Sequence, residues 1–169
     1  MKPNMFALLA AMSPTKNNDK PYRSGVAALF RNANHEVLLC KRKGSKEWQI
    51  PQGGCEGNES AEETLMREMM EELGTSSFRI LEKARHPISY DFPADMSGKY
   101  AEKYRGQQHI WFLLQFDDGF GPNLDHAVDK EFDDCRWVLP SRTSVLDNII
   151  SWKRDSYIKG FSEFGFSLD

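Results

Sequence analysis

The sequence predicts a single α/β domain, and three observations support this fold class. Strand-like apolar runs and helical segments follow one another without strict alternation or an internal repeat. The hydrophobic content of 40% and the aromatic content of 12% allow one substantial core in 169 residues. A short apolar run, Met5–Met12, and a polar stretch precede the regular pattern. We therefore predict an N-terminal extension over residues 1–20 and one domain over residues 21–169.

Five apolar runs are predicted strands. The runs "GVAALFRN" and "EVLLCKR" are separated by "ANH", so we expect Val26–Arg31 and Glu36–Lys41 to form a hairpin. The runs "PISYDF" and "IWFLLQF" follow, and the second is apolar enough for a central strand. The run "CRWVLP" is expected to be an edge strand that Pro140 ends.

Two segments are predicted helices. Ser60 and Glu63 have the spacing of a capping box, and Gly74 is the type of residue found just past a helix end, so the first helix is expected at Ala61–Leu73. The C-terminal segment "TSVLDNIISWKRDSYIKGFSEF" has apolar residues near helical spacing, which predicts a second helix. Those residues are Val145, Ile149, Trp152 and Tyr157.

The first helix is amphipathic. At about 100° per residue, one face is expected to pack and the opposite face to carry acid. The expected packing residues are Met66, Met69, Met70 and Leu73, and the acids are Glu68, Glu71 and Glu72.

These acids lie close together near the C-terminal end of the helix, where the helix dipole disfavours negative charge. Each costs about 0.3–1 kcal/mol against the helix dipole, and the like-charged pair Glu68 and Glu72 adds about 0.2–0.5 kcal/mol. A solvated acidic face is the simplest interpretation of an arbitrary charge run. The crowding, the preceding Arg67 and the glycine-rich "PQGGCEG" loop instead favour a site for a hard divalent cation, Mg²⁺ or Mn²⁺.

Charge and cysteine content narrow the function classes. A formal charge of −3 excludes a generally basic nucleic-acid coat, although a local basic patch remains compatible with it. Cys40, Cys55 and Cys135 are odd in number, far apart in sequence and without metal-ligand spacing. They are expected to be reduced cytoplasmic thiols rather than a disulfide framework or a zinc site. No stretch approaches the length of a membrane span.

The glycine loop and the acidic helix together resemble the signature of the Nudix hydrolases. The matching positions are Gly53, Glu59, Arg67-Glu68, Glu71-Glu72 and Gly74, in the family's spacing, and Thr75 is the one departure. The runs "PYRSGVAALF", "WQIPQGG", "YDFP", "GQQHIWFLLQF", "EFDDCRWV" and "SWKRDSY" are further similar to bacterial RNA 5′-pyrophosphohydrolases and asymmetric dinucleoside tetraphosphate hydrolases. The resemblance spans Tyr22 to Phe164 and implies an α/β/α sandwich with a mixed, partly curled sheet.

The resemblance implies roles for the acidic residues. Glu68, Glu71 and Glu72 would bind Mg²⁺ or Mn²⁺ directly, with Glu131 as a fourth acid from a distant loop. The backbone of Gly53 would complete the metal site, Arg67 would orient the carboxylates, and Glu59 would support them from outside. Glu71 and Glu131 are both candidates for the general base.

Substrate recognition would fall to a second group of residues. Arg23 and Arg42 match positions that contact phosphate or nucleotide in this branch, and Lys153 lies in the matching "SWKRD" segment. Tyr90 is expected to line the same cleft. Trp152 is expected either to stack on a base or to be a core residue of the C-terminal helix.

The implied activity is hydrolysis of pyrophosphate links in 5′-triphosphorylated RNA, in dinucleoside polyphosphates, or in both, as in mRNA decay. The alternatives are a Nudix hydrolase of small nucleotides and a noncatalytic RNA- or nucleotide-binding module. We expect a cytoplasmic protein whose partner is its substrate, an RNA 5′ end or a dinucleoside polyphosphate, with no membrane and no stable protein partner.

Overall fold

The structure is a computed structural model and describes residues 19–169. All but the last two residues of the predicted extension therefore lie outside the described residues. The strands, in chain order, are β1 (Tyr22–Phe30), β2 (Val37–Arg42), β3 (Trp48–Gln49), β4 (Gln52–Gly54), β5 (Phe78–Lys83), β6 (Ile88–Asp91), β7 (Gly106–Phe116) and β8 (Phe132–Val138). The α-helices are α1 (Ala61–Leu73), α2 (Lys99–Lys103) and α3 (Arg154–Glu163).

The strands form two sheets. A mixed sheet has the order β4-β1-β7-β5, with β6 also paired to β7; β1 and β7 run parallel and the other pairs are antiparallel. The second sheet is antiparallel, with the order β3-β2-β8. The predictions of a central β7 and of β8 as an edge strand are confirmed. β8 begins at Phe132, earlier than predicted, and β5 was not predicted.

The predicted hairpin between the first two strands is wrong. One bridge, Arg31 with Val37, joins their ends, and β1 and β2 then enter different sheets. Residues Val26–Phe30 are fully buried, so this stretch packs on both faces and pairs along both edges, with β4 and β7. A strand buried in this way is a central element rather than one arm of an isolated hairpin.

The C-terminal segment is not one helix. It contains two short 3₁₀ turns, Leu146–Asn148 and Ser151–Lys153, and α3 begins only at Arg154. Ile149 and Ile150 between the turns are extended, a conformation that β-branched residues favour. The break lets Ile149 enter the core and brings the next turn to the edge of a cleft.

The core has two layers, one on each side of the sheets. Alternate residues of β1 and β7 pack with α1 on one side and with the C-terminal segment, including Tyr157 and Phe161 of α3, on the other. This α/β/α arrangement agrees with the predicted fold class. Among residues 19–169, no helix is both long and apolar enough to cross a bilayer.

Two of the three cysteines are neighbours despite their separation in sequence. Cys40 on β2 pairs with Cys135 on β8, and their Sγ atoms lie 3.2 Å apart. Cys40, Cys55 and Cys135 are all free thiols in the structure.

Candidate active site

Local signals in the sequence set the bounds of α1, and those bounds are confirmed. The Oγ of Ser60 accepts a hydrogen bond from the backbone N–H of Glu63 at 3.1 Å. Gly74 has φ 66° and ψ 21°, and its N–H donates to the carbonyl of Met70 at 3.2 Å. Because the left-handed conformation at Gly74 strains residues that carry a Cβ, glycine ends the helix at this point.

The predicted division of α1 into a packing face and an acidic face is wrong in part: Met69 and Leu73 are buried as predicted, but two methionines and two of the acids are not where it put them. Met66 and Met70 are 41% and 49% exposed, whereas Glu68 and Glu72 are 8% and 2% exposed. The buried side of the helix carries two stripes at four-residue spacing. They comprise Thr64, Glu68 and Glu72, and Leu65, Met69 and Leu73.

The acidic stripe of α1 is buried against the glycine loop. A Cβ on Gly53 would lie 2.0 Å from the carboxyl carbon of Glu68, so glycine alone lets this carboxylate approach the backbone of β4. The Gly53 position predicted for the metal site is therefore a close approach between a strand and an acid. The tertiary packing, not the helical periodicity, determines which side of α1 is buried.

Arg67 holds the loop and the acids together. Its Nε and Nη2 donate to the two carboxylate oxygens of Glu59, each at 2.8 Å, and Nη2 also donates to the carbonyl of Gly54 at 2.8 Å. Its Nη1 donates to Glu68 at 3.0 Å and to Glu71 at 3.2 Å. The bonds from Arg67 lower the pKa of Glu59 to about 2. Arg67 thus lies behind the acids and fixes their orientation.

Glu131 reaches the acids from a distant loop. The N–H of Asp129 donates to the carbonyl of Glu71 at 2.9 Å, and the N–H of Lys43 donates to the carbonyl of Glu131 at 2.8 Å. These bonds attach the loop to α1 on one side and to the end of β2 on the other. The carboxylate of Glu131 consequently lies beside that of Glu72.

The acids that line the cleft outnumber the cations that contact them. Burial, with Glu131 and Glu68 nearby, raises the pKa of Glu72 well above its usual range, and burial also raises the pKa of Glu68. The Oε2 of Glu72 is buried and has no hydrogen-bond partner within residues 19–169. Such an oxygen needs a proton or a cation.

The donor set fits a hard divalent cation. It consists of carboxylate oxygens, and one of them is buried without a donor. No three Asp, Glu, His or Cys side chains in the described part of the chain are drawn together closely enough to enclose an ion. Glu68 and Glu71 are instead held by Arg67.

A cationic and aromatic group of side chains lines the same cleft as the acids. Lys153 is 4% exposed, and its Nζ donates to Oε1 of Gln49 at 3.3 Å and lies 3.7 Å from Oε1 of Glu47. The same Nζ lies 5.3 Å from the ring centroid of Trp152 and 5.9 Å from that of Tyr90. Burial lowers the pKa of Lys153, and the Glu47 carboxylate opposes this shift.

Trp152 belongs to the wall of the cleft rather than to either main core layer. It is partly buried, and it meets Tyr90 and Phe92 edge to face, with centroid distances of 5.3 and 6.0 Å. The hydroxyl of Tyr90 donates to Gln107 at 3.0 Å and accepts from Gln52 at 3.2 Å. Two amide side chains therefore fix the ring of Tyr90 in the wall.

One cleft of about 530 Å³ contains both groups. All the predicted metal and substrate residues line it, namely Gly53, Glu68, Glu71, Glu72, Glu131, Arg23, Arg42, Tyr90, Trp152 and Lys153. Arg67 lies directly behind the wall. Glu47, Gln52, Phe92, Tyr100 and Gln107 also line the cleft, although the sequence did not single them out. The signal for three of them was a polar residue within or next to the runs "WQIPQGG" and "GQQHIWFLLQF".

Known proteins resemble this chain in sequence over most of its length. The family described as NUDIX domain matches residues 21–159. The RNA pyrophosphohydrolase of Acidiphilium cryptum is 38% identical over 146 residues, covering 81% of this chain and 86% of that protein. The RNA pyrophosphohydrolase of Rickettsia prowazekii is 37% identical over 158 residues, covering 90% and 95%.

Solved structures share the fold. A possible asymmetric diadenosine tetraphosphate hydrolase from Jonesia denitrificans superimposes with a TM-score of 0.62 at 12% identity, covering 88% of this chain and 98% of that one. The C. elegans Ap4A hydrolase binary complex gives a TM-score of 0.56 at 15% identity, covering 86% and 99%. At these identities the likeness is one of fold alone.

Proposed function

The chain belongs to the Nudix family of hydrolases, and from this premise we propose that it removes pyrophosphate from the 5′-triphosphate end of RNA, cleaves dinucleoside polyphosphates, or does both. The relatives named as RNA pyrophosphohydrolases match about 37% of positions over most of both chains. The Ap4A hydrolases share the fold.

The observation that carries this proposal is that two oppositely charged groups of side chains line one cleft. The acidic group is Glu68, Glu71, Glu72 and Glu131, and the cationic and aromatic group contains Arg23, Arg42 and Lys153 with their aromatic neighbours. A polyphosphate with a base attached needs both groups. Its phosphates need cations, its base needs an aromatic surface, and the reacting phosphorus needs charge neutralisation.

The acidic group would hold Mg²⁺ or Mn²⁺. We assign Glu68, Glu71, Glu72 and Glu131 to this site, together with the backbone of Gly53. A bound divalent cation would neutralise charge on the phosphate oxygens and lower the pKa of water. Arg67 would keep Glu68 and Glu71 oriented toward it.

The chemistry is hydrolysis of a phosphoanhydride. The oxygen of water bonds to one phosphorus while the bridging P–O bond breaks, and the bridging oxygen leaves with the departing phosphate. Glu71 and Glu131 are the two candidates to accept the proton of the attacking water. On triphosphorylated RNA the products would be pyrophosphate and a 5′-monophosphate end. Such a substrate, a transcript end, is consistent with the cytoplasmic location that we propose.

The direct test compares three substrates with the same enzyme preparation. Purified protein with Mg²⁺ is given 5′-triphosphorylated RNA, diadenosine tetraphosphate or a nucleoside triphosphate, and kcat/KM is measured for each. We expect the first two to exceed the nucleoside triphosphate and a chelator to abolish hydrolysis. A preference for the free nucleoside triphosphate would favour a small-nucleotide enzyme instead. Absence of hydrolysis on all three would refute the proposal.

The matched control lies on the same helix as the acids. Glu62 on α1 pairs with Lys83 at 2.7 Å, outside the cleft. Glu62→Gln makes the same chemical change as Glu68→Gln, and it should leave turnover unchanged.

A further inference from the structure

Arg23 at the start of β1 is held between a backbone segment and an aromatic ring. A Cβ on Gly54 would lie 2.3 Å from Cζ and from Nη2 of Arg23, so only glycine lets the guanidinium lie against β4. The Cζ of Arg23 lies 4.4 Å from the ring centroid of Tyr100. Both Arg23 and Tyr100 line the cleft.

The charge of Arg23 is not compensated by a carboxylate. Within residues 19–169, the ion pairs involve Lys41, Arg67, Lys83, Arg105 and Lys153, and none involves Arg23. A cation held by a ring face keeps its N–H groups available for an anion, because the attraction to the ring uses none of its donors in a conventional hydrogen bond. Arg23 is therefore a cation whose position is fixed while its donors remain available.

Packing in the core does not account for the position of Tyr100. It lies on α2 and is 43% exposed, whereas its neighbour Ala101 is 8% exposed and packs in the small cluster with Tyr90 and Phe92. The helix is attached beside the start of β1, because Lys20 Nζ donates to the carbonyl of Ala101 at 2.7 Å. The fold therefore places Tyr100 against Arg23 while burying a different residue of the same helix.

We propose that Tyr100 is a positioning residue that holds the guanidinium of Arg23 ready to bind a phosphate of the substrate. The role depends on the proposed polyphosphate hydrolase function and adds a specific residue to it. Arg23 would bind phosphate oxygens beyond the reacting phosphorus, and the ring of Tyr100 would reduce the freedom that Arg23 must lose on binding. The contact requires the ring face and not the hydroxyl.

The test uses two variants at Tyr100 that distinguish loss of the aromatic ring from loss of an apolar side chain. Tyr100→Phe keeps the ring, whereas Tyr100→Leu removes it and retains an apolar side chain. In Tyr100→Leu we expect KM for triphosphorylated RNA to rise about two- to tenfold, with kcat and the melting temperature little changed. Tyr100→Phe should match the wild type. Phe120→Leu, at a 58% exposed aromatic outside the cleft, is the control and should have no effect.

A double-mutant cycle tests whether Tyr100 acts through Arg23. In an Arg23→Gln background, Tyr100→Leu should raise KM no further, because the cation that it positions is gone. Full additivity of the two changes would overturn the proposal and indicate that Tyr100 contacts substrate by itself. A Tyr100→Leu enzyme with unchanged KM would also overturn it, as would a Tyr100→Phe enzyme as impaired as Tyr100→Leu.

Binding of inorganic pyrophosphate separates this inference from the proposed function. Its Kd is measured by calorimetry with Mg²⁺ for the wild type and each variant, and it requires no turnover. The Kd should rise in Tyr100→Leu in parallel with KM and stay unchanged in Tyr100→Phe. If the wild type hydrolysed nothing, the function would fail while the pyrophosphate series still measured the Tyr100 contact. Equal Kd values for wild type and Tyr100→Leu would refute the contact.

Discussion

The two charged groups that line the cleft are built in different ways. The acidic group comes almost entirely from one continuous segment, the glycine loop and α1, and Glu131 is its one distant member. The cationic and aromatic group takes Arg23 from β1, Arg42 from β2, Tyr90 from β6 and Lys153 from a 3₁₀ turn. Local sequence constrains the first group, whereas the pairing of remote strands assembles the second.

The two groups also differ in how their charges are compensated. Among the acids, Arg67 is the cation shared by Glu59, Glu68 and Glu71, and a buried oxygen of Glu72 has no partner within the described residues. In the other group Arg23 contacts an aromatic ring, and Lys153 has Glu47 nearby. Glu72 thus lacks a cation, and Arg23 lacks a carboxylate partner among residues 19–169. A polyphosphate bound with a divalent metal would supply both.

The largest expected effect comes from removing one acid in the proposed metal site. Glu72→Gln preserves size but removes the charge that would bind the cation, so kcat should fall on the order of 100-fold or more. The free energy of unfolding should stay equal or rise slightly, because burial beside Glu131 and Glu68 disfavours the charged form of Glu72 and a neutral amide avoids that cost. Steady-state kinetics and urea unfolding measure the two quantities. Normal turnover in Glu72→Gln, or in Glu68→Gln, would contradict the proposed metal site.

Removing Arg67 should affect stability and activity together. Arg67→Ala leaves Glu59 and Glu68 without their shared cation, so the free energy of unfolding should fall by more than in an exposed control and kcat should also drop. Chemical unfolding and kinetics on one preparation would show this. The control is Arg79→Ala, at an exposed residue that bonds Gln115 on the neighbouring strand and is expected to change stability by about 0.5 kcal/mol or less. A stable Arg67→Ala protein would show that the network is not structural.

Substitutions at Trp152 test the role of the cationic and aromatic group. It is partly buried in the cleft wall, so Trp152→Ala should reduce kcat/KM on triphosphorylated RNA by the equivalent of about 1–3 kcal/mol, the cost of a lost stacked base. Its effect on the melting temperature should be smaller than that of a full core truncation, which costs about 3–5 kcal/mol. Trp152→Phe, which keeps an aromatic face, should recover most of the activity. An equal loss on every substrate with a large drop in melting temperature would instead make Trp152 a core residue.

The smallest expected effect is a pH dependence of stability that arises from Glu59. Arg67 lowers the pKa of Glu59 to about 2 from an ordinary value of 4.5, so the unfolded chain binds more protons between these pH values. The stabilisation from Glu59 is therefore fully present above about pH 5 and is lost as the pH falls toward 2. The difference in urea midpoint between wild type and Glu59→Gln should shrink over that range. A difference independent of pH would mean that Glu59 acts through its shape alone.

Several features of this protein could be predicted from the sequence because short-range interactions determine them. The bounds of α1 follow from the Ser60 cap and from Gly74, whose backbone conformations depend on a few adjacent residues. The central position of β7 follows from an apolar run that only a fully enclosed strand can bury. The spacing of Glu68, Glu71 and Glu72 places them together on any helix.

Other features were decided only by the tertiary structure. The sequence predicted a hairpin of β1 with β2 and a packing face with Met66 and Met70, whereas β1 lies between β4 and β7 and the buried stripe carries Glu68 and Glu72. Periodicity describes a helix but does not say which side meets a glycine loop. The contact between Arg23 and Tyr100 joins residues far apart in the chain, so it exists only once β1 and α2 have been brought together. Long-range packing selects among arrangements that local preferences leave nearly equal in free energy.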